Sequence, residues 1–170
     1  MMKFSLIICT YQRPEALLKL LKSVKEQTLY PDQIIVVDGS LDEETKQTLI
    51  GSDFKNLKYY LVTKENRGLT RQRNFGIKRV DENIFITCFL DDDVVLLPDY
   101  FEKLIATYIK YPDALGVGGY ILDDNIEWVK TEEKTINFEE FVFDGWKRKL
   151  GNRNVLRKKL GLLSDQPPGF

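Results

Sequence analysis

The sequence contains no histidine. That absence removes the Ser-His-Asp triad, the imidazole metal cluster and the imidazole general base together. It has only two cysteines, Cys9 and Cys88. They are too few for a disulfide framework or a four-thiolate zinc site. Each lies in an apolar run and reads as a small core residue, which suits a reducing compartment. No stretch approaches the roughly 18 apolar residues that cross a bilayer. The run Met1 to Thr10 is short and leads into Tyr-Gln-Arg-Pro with no small-residue cleavage site, so no signal peptide is expected. A charge of one sign is missing too. There are 25 Lys and Arg against 26 Asp and Glu, a net charge of -1, which excludes a strongly basic nucleic-acid binder. Neither G-x-G-x-x-G after the first strand nor G-x-x-x-x-G-K-[ST] occurs, against a dinucleotide oxidoreductase and a P-loop NTPase. Thr10 to Pro14 holds no glycine, which argues against a sugar-phosphate nucleotidyltransferase.

What is present is a globular chain. Of 170 residues, 43% are apolar and 12% aromatic. That is enough to bury roughly 70% of the unfolded surface without staples. Short apolar runs alternate with amphipathic stretches. Strands are expected at Phe4 to Cys9, Ile34 to Val37, Leu57 to Val62, Ile84 to Leu90 and, weakened by Gly116, Gly118 and Gly119, Leu115 to Leu122. Pro14 suits a first helical position, with Leu17, Leu18, Leu21 and Val24 following at helical spacing. Further helices are expected at Asp42 to Ile50, at Leu69 to Val80, and from Pro98, with Phe101, Leu104, Ile105 and Tyr108 on one face. This alternation predicts an α/β domain with a mainly parallel central sheet and right-handed crossovers.

In open parallel sheets, ligands bind beyond the carboxyl ends of the strands. The residues there are Thr10 to Pro14, Asp38-Gly39-Ser40, Lys64 to Gly68 and Asp91-Asp92-Asp93. Three adjacent carboxylates at the end of a buried strand repel one another by roughly 4 kcal/mol per close pair at an effective dielectric near 20. A hard divalent cation offsets that repulsion, and oxygen ligands suit Mg²⁺ or Mn²⁺. The alternative is a solvated acidic turn. Asp38 can accept hydrogen bonds from a base or ribose, or else cap its own turn. Tyr11 can stack on a base, or be a surface aromatic. Arg13 and Arg73 offer forked donors to a diphosphate, or form surface ion pairs.

Taken in order, these pieces resemble the N-terminal half of family 2 glycosyltransferases, which have the GT-A, Rossmann-like three-layer fold. The resemblance rests on Ser5 to Pro14, Gln27-Thr28, Ile34 to Ser40, Asn66-Arg67-Gly68, Arg73 to Ile77, and Phe89 to Asp93 followed by Pro98. It implies that Thr10, Tyr11, Arg13 and Asp38 hold the nucleoside of a nucleotide sugar, most often a UDP-sugar. Asp91 and Asp92 then lie near the ribose and sugar, with Arg73 beside the diphosphate. Asp93, with Asp91, binds the Mn²⁺ or Mg²⁺. It further implies transfer to a carbohydrate or lipid-linked acceptor hydroxyl with inversion, helped by a carboxylate base.

The expected core spans residues 1–122, and 123–170 is the start of an acceptor-side region. Asp123 to Asp144 holds eight acidic and two basic residues, whereas Gly145 to Leu160 holds seven basic and no acidic ones. No family-like base is recognisable after Leu122, so the chain reads as a form that stops before the base. A non-catalytic nucleotide-sugar-binding module is the alternative function. Residues 146–163 carry basic residues among Trp146, Leu150, Leu156, Leu160 and Leu163. They read either as an amphipathic helix on an anionic membrane or as a packing surface. The expected location is cytoplasmic, with the membrane reading of 146–163 placing the chain peripherally at the inner face of the membrane.

Overall fold

The computed structural model describes residues 2–119 and the backbone of 141–143 and 146–148. The chain divides into two compact units, Met1–Gly119 and Tyr120–Phe170. The first unit runs β1 (Phe4–Thr10), α1 (Pro14–Lys25), β2 (Gln33–Asp38), α2 (Glu44–Leu49), β3 (Leu57–Leu61), a 3₁₀ turn (Lys64–Asn66), α3 (Leu69–Ile77), β4 (Ile86–Asp91) and α4 (Tyr100–Lys110). Four parallel strands lie in the order β3-β2-β1-β4.

The alternation of side chains along each strand builds two cores. Phe4, Leu6 and Ile8 of β1, with Ile34 and Val36 of β2, face Leu17, Leu20, Leu21 and Val24 of α1 and Phe101, Leu104 and Ile105 of α4. The Phe4 and Phe101 rings meet at 5.1 Å between centroids. Ile7, Ile35 and Val37 point the other way and pack with Val62 and Phe75. Both faces of β1 and β2 are therefore covered, which is why these strands are continuous apolar runs. On the second face, α3 approaches closely at Gly76. A β-carbon there would lie 2.8 Å from Ile7 Cγ2, so only glycine fits. Each fully buried aliphatic side chain contributes about 1.5–3 kcal/mol.

The sequence reading holds for all four strands, with shifted ends. β4 begins at Ile86 and not Ile84, because Ile84 donates its backbone N–H to the turn carbonyl of Asp81. α3 ends at Ile77 and not Val80, closing through Arg79 N–H to the Gly76 carbonyl. Pro98 stands two residues ahead of α4, whose first residue is Tyr100. The fifth strand is a correction. Residues 115–119 form no strand, since Gly116, Gly118 and Gly119 offer no side chains to pack and lose the most backbone entropy on ordering. Residues 120–122 lie outside the described residues.

In the second unit, β5 (Phe141–Phe143) pairs antiparallel with β6 (Trp146–Arg148), Phe143 opposite Trp146. The helix expected from Trp146 onward therefore does not start there. Aromatic and β-branched residues flank Asp144-Gly145, the pair that two-residue hairpins favour. Residues 149–163 lie outside the described residues. Among the described residues no helix is long and apolar enough to cross a membrane.

Candidate functional site at the carboxyl edge of the sheet

Parallel register brings the strand ends level. Thr10 stands opposite Asp38, Asp38 opposite Leu61, and Cys9 opposite Asp91. The chain builds outward from β1 to β2 to β3, then returns to place β4 on the other side of β1. The reversal leaves a switch point between β1 and β4, where the loop Tyr11–Arg13 meets Asp91–Asp93.

At that point the three aspartates diverge. Thr10 Oγ1 donates to Asp92 Oδ2 at 2.7 Å, and Asp92 is buried. Arg13 Nη1 donates to Asp92 Oδ1 at 3.2 Å and to Asp93 Oδ2 at 3.1 Å. Arg73 Nη2 donates to Asp91 Oδ1 at 3.2 Å while its guanidinium lies 5.6 Å from the Phe89 ring. Arginines thus offset the carboxylate repulsion that the sequence reading assigned to a metal. The Arg13 guanidinium is pushed further up by its bonds to Asp92 and Asp93. Burial, the largest effect, pushes the Cys9 thiol up to about 11, opposed by Arg73 and assisted by Asp91 and Asp92.

The β2 side is closed. Asp38 is fully buried. It accepts from Ser40 N at 2.7 Å, from Ser40 Oγ, and from Tyr59 Oη at 2.6 Å. Its carboxylate is turned inward and caps the Asp38-Gly39-Ser40 turn, in line with the second of the two roles the sequence left open. Burial and then the bond to Asp38 hold the Tyr59 phenol well above its usual range. Ser40 Oγ accepts from Gln12 N at 2.8 Å, and the Ser40 carbonyl accepts from Arg67 Nη2 at 3.2 Å.

Gln72 joins these strand ends and was missed by the sequence reading. Its Nε2 donates to Thr10 O at 3.0 Å and to Val37 O at 2.8 Å. Its Oε1 accepts from Gly68 N at 3.2 Å, where glycine permits a φ of 105°. Every polar atom of a buried amide is thereby satisfied. The available signal was a polar residue on the inward stripe of α3, four positions before the buried Gly76. Tyr59 was missed too, and nothing local to β3 announces its partner.

Of the expected residues, then, Tyr11, Arg13, Asp91 and Asp93 are open to solvent and Arg73 is half-buried, whereas Thr10, Asp38 and Asp92 are buried. Among the described residues no three cysteine or carboxylate groups converge as a metal cage. The Asp91 and Asp93 side chains are 65% and 59% exposed. Such a donor set fits a hard cation that takes one or two carboxylates and completes its shell from phosphates and water, as Mg²⁺ does.

The chain matches the model of glycosyl transferase family 2 over residues 5–170. It is 34% identical over 133 residues to a glucosyl-dolichyl phosphate glucuronosyltransferase of Haloferax volcanii, covering 75% of this chain and 40% of that protein. It is 31% identical over 119 residues to the O-antigen chain rhamnosyltransferase RfbN of Salmonella typhimurium, covering 69% and 37%. The matched stretch therefore covers well under two thirds of the length of these relatives. The fold matches S. aureus TarS 1-349 in complex with UDP-GlcNAc at a TM-score of 0.56 and 25% identity, covering 72% of this chain and 37% of that one. With the α/β sheet and its carboxyl-edge site in place, the chain belongs to glycosyl transferase family 2, with the GT-A fold.

Proposed function

We propose that this chain supplies the donor half of a glycosyltransferase that moves a sugar from a UDP-sugar to an acceptor hydroxyl. The observation that carries this is the gathering of Tyr11, Arg13, Arg73, Asp91 and Asp93 at the β1–β4 switch point, all solvent-accessible, with Arg13 tied to buried Asp92 and Asp92 to buried Thr10. The TarS neighbour in complex with UDP-GlcNAc supports the choice of nucleotide.

Tyr11 stacks on the base. Arg13 and Arg73 turn their forked donors to the diphosphate. The bonds of Arg13 to Asp93 and of Arg73 to Asp91 are to exposed carboxylates and weak in water, so a diphosphate can replace those partners at small cost, while Asp92, buried, stays beside Arg13. Asp91 and Asp92 lie toward the ribose and sugar. Asp93, with Asp91, would hold Mn²⁺ or Mg²⁺, and the ion when bound supplies positive charge to the leaving diphosphate. The acceptor oxygen attacks the anomeric carbon in line, the bond from that carbon to the diphosphate breaks, and the anomeric centre inverts. A carboxylate outside residues 2–119 takes the acceptor proton.

The acceptor is a carbohydrate or a lipid-linked saccharide, in a role suited to cell-envelope polysaccharide synthesis. The dolichyl phosphate in the Haloferax relative's name supports the lipid-linked case. With it goes cytoplasmic placement, peripheral at the inner membrane face through the basic stretch 146–163. Co-sedimentation with anionic liposomes at low salt, lost at high salt, is the expected result. No binding at low salt removes the membrane contact.

Calorimetry with UDP tests the donor site. Binding in Mg²⁺ or Mn²⁺ that weakens on chelation is expected. Equal binding after chelation removes the metal, and no binding of UDP at all overturns the donor-site reading.

A further inference from the structure

α3 sorts its polar residues by face. Gln72 and Gly76 are buried against the sheet, and Arg73 turns to Asp91. Arg71, Asn74, Phe75 and Lys78 fall at i, i+3, i+4 and i+7, so they share the outer face. With Arg79 they line a groove of about 480 Å³, which Glu65 and Asn66 of the 3₁₀ turn complete at the Arg71 end. That volume lies in the range of small-ligand sites.

The cations of this groove have no carboxylate partners. Among the described residues, Arg13 and Arg73 form ion pairs with aspartates, whereas Arg71, Lys78 and Arg79 form none. Arg71 Nη1 reaches only the Glu65 carbonyl, at 3.4 Å. Lys78 and Arg79 stand at the carboxyl end of α3, where the helix dipole favours cations. Arg71 stands in the first turn, where the dipole disfavours them, so the dipole does not account for the cluster. Arg79 is also fixed in advance. Its Nη1 donates to the Phe75 carbonyl at 2.9 Å, and its guanidinium lies 3.3 Å from the Phe75 ring centre and 5.1 Å from that of Tyr60. Its Nη2 and Nε have no hydrogen-bond partner among the described residues. A guanidinium held in this way loses little rotamer freedom on meeting a phosphate.

We propose that this groove is a second anion site, separate from the carboxyl-edge donor site, and that it takes a soluble ligand bearing two or more linked phosphate groups. Arg71 and Lys78 are seven residues apart, about 10 Å along the helix axis. A single phosphate therefore meets one end only, while a chain of phosphates meets both. Asn74 stands between them and adds a neutral amide donor. The groove is concave, which suits an inserted molecule over the flat face of a bilayer. It uses none of the residues assigned above to the donor, so this proposal stands apart from that reading.

The test is an amide NMR titration of the full chain with inorganic tripolyphosphate, in chelator at low salt. Wild type is compared with Arg71→Gln/Lys78→Gln, and circular dichroism checks folding. Saturable shifts are expected at residues 74–79. The double variant should weaken that binding at least roughly tenfold, as for loss of hydrogen bonds between charged groups. Inorganic phosphate should bind roughly tenfold more weakly than tripolyphosphate, and UDP binding in Mg²⁺ should be the same in variant and wild type. Shifts confined to residues 10–13 and 91–94 would place the anion on the donor-site arginines and overturn the proposal. Absent shifts, or equal affinity in the folded double variant, also overturn it. Co-sedimentation with phosphatidylglycerol vesicles but no tripolyphosphate binding would make this face a membrane contact and overturn the soluble ligand. Loss of UDP binding in the folded variant would join the groove to the donor site and overturn its separateness. Should the double variant fail to fold, Arg71→Gln alone carries the same comparison. Wild type that binds tripolyphosphate at 74–79 but not UDP overturns the donor-site reading alone.

Discussion

The two sides of the carboxyl edge are built by opposite means. Beside β2 and β3, polar groups are buried and every bond has one assigned partner: Gln72 with two carbonyls and one N–H, Asp38 with Ser40 and Tyr59. Beside β4, Asp92 is buried, but its two neighbours stand in water and pair with arginines, Asp93 with Arg13 and Asp91 with Arg73. Low dielectric makes the first set costly to disturb. Screening by water makes the second set cheap to exchange. A site that binds a charged donor uses both, a rigid frame on one side and replaceable partners on the other.

The sharpest way to break this contrast is Gln72→Leu. It keeps the volume but strands two carbonyls and one N–H, so it should cost roughly 2–4 kcal/mol, read from the urea midpoint at constant slope. A loss under about 1 kcal/mol would mean that the β2 side is not a frame. Gly76→Ala follows, at roughly 1–3 kcal/mol, because the new methyl meets Ile7 Cγ2 at 2.8 Å.

Next comes Tyr59→Phe, at about 1–2 kcal/mol, with a signature in pH. The folded phenol holds its proton more tightly than the unfolded one. Above about pH 10 the unfolded state therefore binds fewer protons, and stability falls as pH rises. Cys88, pushed up to about 12 by burial, acts in the same direction from about pH 8.5. Stability should decline above that value, and Tyr59→Phe should make the decline above pH 10 shallower. An unchanged alkaline limb would remove Tyr59 from the frame.

The smallest effects on stability belong to the β4 side. Asp93→Asn should leave the urea midpoint in place while weakening UDP binding several-fold in Mg²⁺ and hardly at all in chelator. Unfolding of that variant would make Asp93 structural. Arg13→Met should lower UDP affinity and shift the midpoint by more than Asp93→Asn does, because it also takes a partner from buried Asp92. A midpoint as steady as that of Asp93→Asn would mean that Thr10 alone holds buried Asp92.

Much of this was legible in the sequence, for physical reasons. β1 and β2 are buried on both faces, so their apolar runs are unbroken, and Pro14 marks the start of α1 where its fixed φ is useful. The aspartates and arginines at strand ends were legible because the sheet's topology decides where a ligand can sit. Their partners were not. Thr10 and Asp92 are 82 residues apart and Gln72 and Thr10 are 62 apart. No local pattern reports such pairs. The reading therefore saw charge at Asp91–Asp93 and a use for a cation there, and it could not see that Arg13 and Arg73 also pair with these carboxylates. It left Asp38 between ligand acceptor and turn cap, because burial of a strand-end carboxylate depends on Tyr59, a residue of another strand.

The central claim is that the carboxyl edge, between β1 and β4, is where the donor nucleotide binds. Amide NMR shifts on titrating the chain with UDP and Mg²⁺ test it most directly. The account predicts perturbations concentrated at residues 10–13, 38–41, 66–73 and 91–94, with little change at the opposite edge, around residues 2–4, 32–33 and 82–86. Shifts concentrated at that opposite edge, or none at saturating UDP, would contradict it.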